Sequence, residues 1–333
     1  MRNEILSLLS GNKIDKVPAF SGLIHVTAEG LAGEGLSLPE VHHDAQKLAR
    51  AAASTYRLTG MPSAALPLDL CAPAEALGAT LKYYEDGESQ FPQPAKPLFG
   101  STKDLSQAYF QSADFLSRGR MPLICEAIRI LKADIGSEVV ISGILPGPYT
   151  LLLYLIDLGG LFVEMKREPA AVQEALSRLS RFLSQIGAAY RSAGADFITV
   201  HEMGGSPGFL GPARFEQFVL PAVKQLIADL PKPAVLSVCG NTNKSMHLLD
   251  LAGANAISVD QTNDSAASRA AMKNTLLFGN LDPVQTLAHG NPSEIQRAKQ
   301  SALDTGVDAL WPGCDLLLQT PLENLKLFNS SIP

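Results

Sequence analysis

The stretch AVLSVCGNTNKSMHLLDLAGANAISVD, residues 234–260, contains the repeating unit that decides the fold. Two short runs rich in β-branched residues, 234–240 and 256–260, flank a helical segment that ends just before Gly253. Short strands that alternate with helices indicate parallel strands joined by crossover helices. A glycine before the second strand fits a helix stop followed by a tight loop. The stretch therefore predicts one β–α–β unit.

The same alternation extends along the chain in both directions. Strands are predicted at 17–20, 63–70, 138–143, 195–202, 234–240, 256–260, 275–280 and 309–314. Helical patterns are predicted at 41–57, 104–131, 168–193, 213–230, 243–252, 265–273 and 292–305. Eight strands of this kind match a (β/α)8 TIM barrel, which typically needs about 250 residues. We therefore expect an α/β fold with a single barrel domain over residues 1–333.

The N-terminal part of the chain is less regular, so the barrel is expected to carry N-terminal elaborations. The residues between Gly78 and Ser101 are rich in Pro, Gly and charge, and we expect them to cross the barrel mouth. The apolar stretch Val139–Val163 is long enough to raise the question of a membrane span. Pro146 and Asp157 are among the residues that interrupt it, so a strand, a loop and a buried helix are expected instead.

Charge and the N-terminal sequence exclude several functional classes. The net charge is −6, and the 27 Lys and Arg residues are scattered, so no nucleic-acid partner is expected. The first 18 residues lack an apolar segment followed by a small-residue cleavage site, and the expected compartment is the cytoplasm. The sequence does not decide between a monomer and a homodimer.

Catalytic residues of a parallel barrel lie at the carboxyl ends of its strands, and two cysteines fall there. Cys239 and Cys314 each stand at the end of a predicted strand. Two thiolates joined by a histidine or a carboxylate suit Zn²⁺, and three protein ligands leave a fourth position open for substrate. The alternative is that both are buried free thiols, as most free cysteines are.

The third ligand is expected from HEMGG, which supplies His201 and Glu202 at a neighbouring strand end. Side chains alternate along a strand, so only one of the two faces the mouth directly, and composition does not choose between them. Candidates for substrate contact are Asp69, Tyr149, His201 and Asn280. Asp69 could equally cap a helix, Tyr149 could pack beneath its loop, and Asn280 could tie loops together.

Six stretches carry a resemblance to a known family. They are PLDLCAPAEALGA (67–79), EAIRILKADIGSEVVISGILPGPYTL (126–151), GPARFEQFVLP (211–221), VLSVCGNTNK (235–244), GNLDPVQTL (279–287) and WPGCDLLLQTPLENL (311–325). The chain resembles the uroporphyrinogen decarboxylase superfamily, and within it the zinc-dependent corrinoid methyltransferases. The resemblance implies a TIM barrel with zinc at the mouth.

Two departures refine this resemblance. The decarboxylases bind their polycarboxylate substrate with an Arg-rich segment after the first strand, but Val17–Leu31 contains no Arg, which disfavours decarboxylation. The methyltransferases bind zinc through His-x-Cys and a later Cys, matched by Cys239 and Cys314, whereas Ser237 occupies the histidine position. We therefore expect Glu202, in preference to His201, to complete a metal set that is also catalytic.

The resemblance implies methyl transfer between a small substrate and the cobalt of a corrinoid. The small molecule would be a methoxylated methyl donor, as in O-demethylation, or a thiol acceptor. No DxHxxG corrinoid-binding sequence occurs in the chain, so the corrinoid is expected on a separate partner protein. The alternatives are a decarboxylase-like lyase and a non-catalytic tetrapyrrole-binding module.

Overall fold

Parallel strands form the centre of the protein. The computed structural model describes residues 1–84, 90–111 and 114–330. Its strands are β1 Ser63–Leu66, β2 Leu81–Lys82, β3 Gln93–Pro94, β4 Val140–Pro146, β5 Phe197–Glu202, β6 Ala234–Val238, β7 Ala256–Val259 and β8 Leu276–Phe278. Six of them form a parallel sheet in the order β1-β4-β5-β6-β7-β8, and β2 pairs with β3 in antiparallel fashion. This order is that of consecutive strands around a barrel.

Helices surround this sheet. They are α1 Arg2–Leu9, α2 Ala28–Gly33, α3 Leu38–Val41, α4 Ala45–Thr59, α5 Ala72–Ala76, α6 Gln107–Gln111, α7 Met121–Ile135, α8 Pro148–Leu155, α9 Leu158–Arg167, α10 Pro169–Ala193, α11 Pro207–Leu210, α12 Pro212–Arg214, α13 Leu220–Asp229, α14 Met246–Asp250, α15 Ser265–Ala271, α16 Pro292–Asp304 and α17 Leu322–Asn329. Each later strand is separated from the next by at least one helix, as a (β/α)8 barrel requires.

The first and last predicted strands are reduced to isolated bridges. Ala19 pairs in parallel with Leu310, and Ala309 pairs with Phe278 at the end of β8. On the other side, the backbone N–H of Ser21 donates to Oγ of Ser63 at the start of β1, over 3.0 Å. Prolines at 18 and 312 explain the short pairing, because proline has no N–H to donate to a ladder. Parallel pairing is therefore found at all eight predicted positions, as strands at six of them and as isolated bridges at the other two, and the TIM-barrel prediction is confirmed.

The prediction of one continuous helix over residues 104–131 is wrong. The pattern over 104–131 predicted one helix, whereas the described residues contain α6, a 3₁₀ turn at Phe115–Ser117 and α7. Gly119 has a φ of +53°, which ends any right-handed helix, and Pro122 stands in the first turn of α7. Part of the predicted excursion between Gly78 and Ser101, and residues 112–113 of this helix, lie outside the described residues.

The barrel interior is filled by large apolar side chains. Phe20, Val140, Phe197, Val235, Phe278 and Trp311 belong to one buried cluster, which also contains Ile5, Leu8 and Leu9 of α1. Phe20 meets Trp311 edge-on with ring centroids 5.2 Å apart, a favourable aromatic geometry. The opposite faces of the strands, including Ile198 and Val200 of β5, pack in the larger cluster with the helices. The interior is therefore packed solid below the mouth.

The apolar stretch Val139–Val163 forms β4, the helix α8 and part of α9. Proline occupies the first turn of α8, where its missing N–H has no helical partner to lose. Within residues 1–84, 90–111 and 114–330, no helix is long and apolar enough to cross a bilayer. The expected strand, loop and buried helix are therefore observed.

Candidate metal centre

Three side chains that can bind a metal ion meet at the carboxyl end of the barrel: His201, Cys239 and Cys314. His201 belongs to β5, Cys239 directly follows β6, and Cys314 follows the last strand position. Nε2 of His201 lies 3.0 Å from Sγ of Cys239 and 3.8 Å from Sγ of Cys314. The two sulfur atoms are 2.8 Å apart. Residues far apart in sequence are thus brought together by the barrel.

This donor set fits zinc. In a tetrahedral site with zinc about 2.0–2.3 Å from its ligands, the donor atoms lie roughly 3.5–3.8 Å apart. The separation between His201 and Cys314 has this value, and the two separations that involve Cys239 are shorter. The imidazole is fully buried, whereas both cysteines are partly exposed, so the group opens toward the mouth. Three ligands with one open side are the arrangement of catalytic zinc sites.

The electrostatics of the group also favour a bound cation. The hydrogen bond between the sulfur atoms lowers the pKa of Cys314 and raises that of Cys239. The second thiol loses its proton less easily because it lies beside the thiolate that has already formed. Burial lowers the pKa of His201, but the charges of Asp315 and Cys314 outweigh it and raise this pKa to about 9. Burial raises the pKa of Asp315 to about 6. A divalent cation would relieve the repulsion between the thiolates.

Glu202 does not join the thiols, and its expected place in the group is taken by His201. Its carboxylate is fully buried on the other face of β5. There it accepts hydrogen bonds from the backbone N–H groups of Tyr149, Thr150 and Gly205, at 3.1, 2.9 and 2.9 Å, and from the Thr150 hydroxyl. Strand alternation explains the correction, since His201 follows the interior parity of Phe197 whereas Glu202 follows that of Ile198.

Ser237 lies beside His201 on the neighbouring strand. The two residues are register partners between β5 and β6. Ser237 is 1% exposed, and its Oγ has no hydrogen-bond partner among the residues that the structure describes. The position at which the resemblance expects a histidine is therefore one strand away from the histidine that this chain has.

Asp69 has a structural role. Its carboxylate forms a buried ion pair with Arg120, at 2.7 Å, and accepts from the backbone N–H groups of Cys71 and Ala72 at the start of α5. Burial raises the pKa of Asp69, but Arg120 and His42 outweigh it and hold this pKa well below its usual range. These contacts match the capping role that the sequence left open, and substrate binding by Asp69 stays a prediction.

Tyr149 and Asn280 are also held by protein contacts. Tyr149 is fully buried, and its hydroxyl donates to the sulfur of Met165 at 3.3 Å. The amide of Asn280 donates to the backbone oxygens of Asp260 and Asn263 and accepts from Ser265. Asn280 lines a cavity of about 390 Å³ that none of the three candidate ligands lines. Packing of Tyr149 and loop fixation by Asn280 are therefore observed, and the expected substrate contacts stay predictions.

Sequence reasoning missed two residues, one beside the candidate ligands and one beside Asp69. Arg120, directly before α7, is 6% exposed and also contacts Glu75 at 2.8 Å. Asp315 places Oδ2 3.6 Å from Nδ1 of His201. The only sequence signal for Asp315 was its position directly after Cys314. No feature of the local sequence indicated that Arg120 would contact Asp69.

Comparisons with known proteins agree with this architecture. The uroporphyrinogen decarboxylase family matches residues 1–332, and the chain belongs to that family. It is 31% identical to a methylcobamide:CoM methyltransferase of Methanosarcina acetivorans over 98% of this chain and 95% of that protein. A uroporphyrinogen decarboxylase of Thermodesulfovibrio yellowstonii is 27% identical over 74% of this chain and 70% of that protein.

A solved structure of a methyltransferase has the same fold as this chain. A methyltransferase from Methanosarcina mazei superposes with a TM-score of 0.91 at 26% identity, and the match covers 98% of this chain and 96% of that one. The chain is therefore an enzyme of the corrinoid-dependent methyltransferase branch of the uroporphyrinogen decarboxylase family.

We expect Glu202→Gln to destabilise the protein. The new amide group would face backbone N–H donors in place of an acceptor oxygen, and the loss is about 1–3 kcal/mol in the free energy of unfolding. Urea unfolding measures it, with Glu216→Gln as the control because Glu216 is exposed. Equal stability of the two variants would show that the buried network around Glu202 contributes nothing.

Proposed function

We propose that this enzyme is a zinc-dependent methyltransferase that moves a methyl group between a small substrate and the cobalt of a corrinoid protein. The observation that carries the proposal is the His201, Cys239 and Cys314 group on three strand ends. Its composition is that of the implied zinc set, with the histidine one strand away from the expected position. The relatedness to methylcobamide:CoM methyltransferases supports the same reaction class.

Zinc bound there would lower the pKa of a substrate thiol, or would polarise the oxygen of a methyl ether. The protein's own contribution is geometric and electrostatic. His201 is buried and rigidly placed by β5, whereas the sulfur atoms of Cys239 and Cys314 face the open side. The aromatic packing around Trp311 fills the barrel below them, so substrate is expected to enter from the mouth. Because the related methyltransferases are named for coenzyme M, a small thiol is the favoured substrate.

The decarboxylase alternative is not favoured. Ser21–Val26, in the segment that would have to bind carboxylates, is buried and contains no Arg. The buried guanidinium of Arg120 already pairs with Asp69 and Glu75, so its charge is compensated. We propose that the corrinoid is supplied by a partner protein docked at the mouth. The cytoplasmic location stays a prediction, and a homodimer is an option that the sequence leaves open.

Zinc content tests the metal set. Wild-type protein is expected to contain about one zinc per chain, and Cys239→Ser, Cys314→Ser and His201→Ser are each expected to lose it, because two remaining ligands bind too weakly. Elemental analysis after dialysis measures the ratio. Cys125→Ser is the matched control, since Cys125 lies on α7 away from the group. Zinc-free wild-type protein would contradict the proposal.

The register between β5 and β6 leads to a sharper test of the same site. His201→Ser combined with Ser237→His is expected to recover zinc that His201→Ser alone loses, because the two positions are neighbours on the interior face. The zinc-to-protein ratio of the double and single variants gives the answer. Equal loss in both variants would mean that position 237 cannot present a histidine to the cysteines.

Activity tests the reaction. Zinc-loaded protein is expected to demethylate methylcobalamin in the presence of a small thiol, seen as the loss of the methyl–cobalt absorption spectrum. His201→Ser should reduce the rate to near background, whereas Cys125→Ser should not. A parallel assay with a Co(I) corrinoid protein and methoxyarenes tests O-demethylation. Methyl–cobalt formation in that assay, without any thiol reaction, would reverse the assigned substrate class.

A further inference from the structure

The second ring nitrogen of His201 faces a carboxylate. Nε2 points to the cysteines, at 3.0 Å from Sγ of Cys239. Nδ1 is buried and has no hydrogen-bond partner within residues 1–84, 90–111 and 114–330. Oδ2 of Asp315 lies 3.6 Å from Nδ1, slightly longer than a hydrogen bond.

Asp315 is held in this position from two sides. Its other oxygen, Oδ1, accepts a hydrogen bond from the backbone N–H of Ile24 at 2.8 Å. Asp315 also directly follows Cys314, so one short turn places both the sulfur and the carboxylate against the same imidazole. The side chain is 23% exposed, which leaves it mostly removed from water. The carboxylate is therefore fixed on the side of the ring opposite to Cys239.

We propose that Asp315 is a positioning residue that keeps the proton of His201 on Nδ1, so that Nε2 presents its lone pair to the metal. Neutral imidazole carries one proton, on either nitrogen, and only the bare nitrogen can bind a metal. A carboxylate accepts but does not donate, so it selects the tautomer with the proton on Nδ1. The inference rests on the proposed function, because it requires the metal set of His201, Cys239 and Cys314.

The principal test is Asp315→Asn, which keeps an oxygen for the N–H of Ile24 and places an amide group opposite Nδ1. That group donates, and it favours the tautomer with the proton on Nε2, which cannot bind zinc. We expect zinc affinity to fall roughly 10–100-fold, as for other residues that orient a ligand. Competition with a chromophoric chelator measures it. Asp308→Asn is the matched control, since Asp308 also accepts from a backbone N–H, that of Leu277.

The His201→Ser/Ser237→His background separates positioning from simple charge. In that background Asp315 no longer faces the ligand histidine, so adding Asp315→Asn is expected to change zinc affinity less than threefold. A 10-fold or greater fall in both backgrounds would mean that the negative charge acts on the metal directly, and would overturn the inference. If the double variant binds no zinc, the spectroscopic measurement on wild-type protein decides.

That measurement is the NMR signal of the Nδ1 proton in zinc-loaded, ¹⁵N-histidine-labelled protein. We expect a downfield, slowly exchanging signal for His201 in wild-type protein, as a hydrogen bond to a carboxylate gives. Its absence would overturn the inference even if Asp315→Asn failed to fold. Wild-type protein without zinc would overturn the proposed function instead, and tight zinc binding by folded Asp315→Asn would overturn only the role of Asp315.

Discussion

The alternation of side chains along β5 is the constraint on which the site depends. His201 and Glu202 are consecutive, yet the strand turns one toward the barrel interior and the other toward the helices. The interior position brings an imidazole to two cysteines. The outer position brings a carboxylate to the first turn of α8, where it accepts hydrogen bonds from backbone N–H groups that have no helical partner. One dipeptide thereby supplies both a candidate metal ligand and the support of the neighbouring loop.

Sequence patterns predicted the barrel well, because strand and helix periods are local properties that the fold repeats. The positions of Cys239 and Cys314 followed from the same pattern, since the ends of parallel strands meet. The choice between His201 and Glu202 did not follow. That choice required knowing which side chains of β5 point into the barrel. Phe197 lies on the same face as His201, but this helps only if the interior is already known to be lined by aromatic side chains.

The ion pair between Asp69 and Arg120 could not be predicted from the sequence, for a different reason. The two residues are 51 positions apart, and their contact depends on how α7 packs against the loop after β1. Polar residues at strand ends are ambiguous in sequence, because the same carboxylate can bind a substrate or hold a loop. At Asp69, Asn280 and Glu202 the structure shows hydrogen bonds to protein groups, so these three polar residues hold the loops of the barrel rim.

In the part of the chain that the structure describes, the interior below the mouth is packed, so the mouth is the expected entrance to the proposed site. Phe20, Phe278 and Trp311 fill the space beneath the cysteines, and α1 seals the far end. In the proposed reaction, two reactants of very different size must therefore share one opening. The smaller one has to arrive first, since a docked protein would block its way, and it can leave only after the larger one has departed. In the proposed reaction, the packed hydrophobic interior below the site thus determines the order in which the two reactants bind and leave.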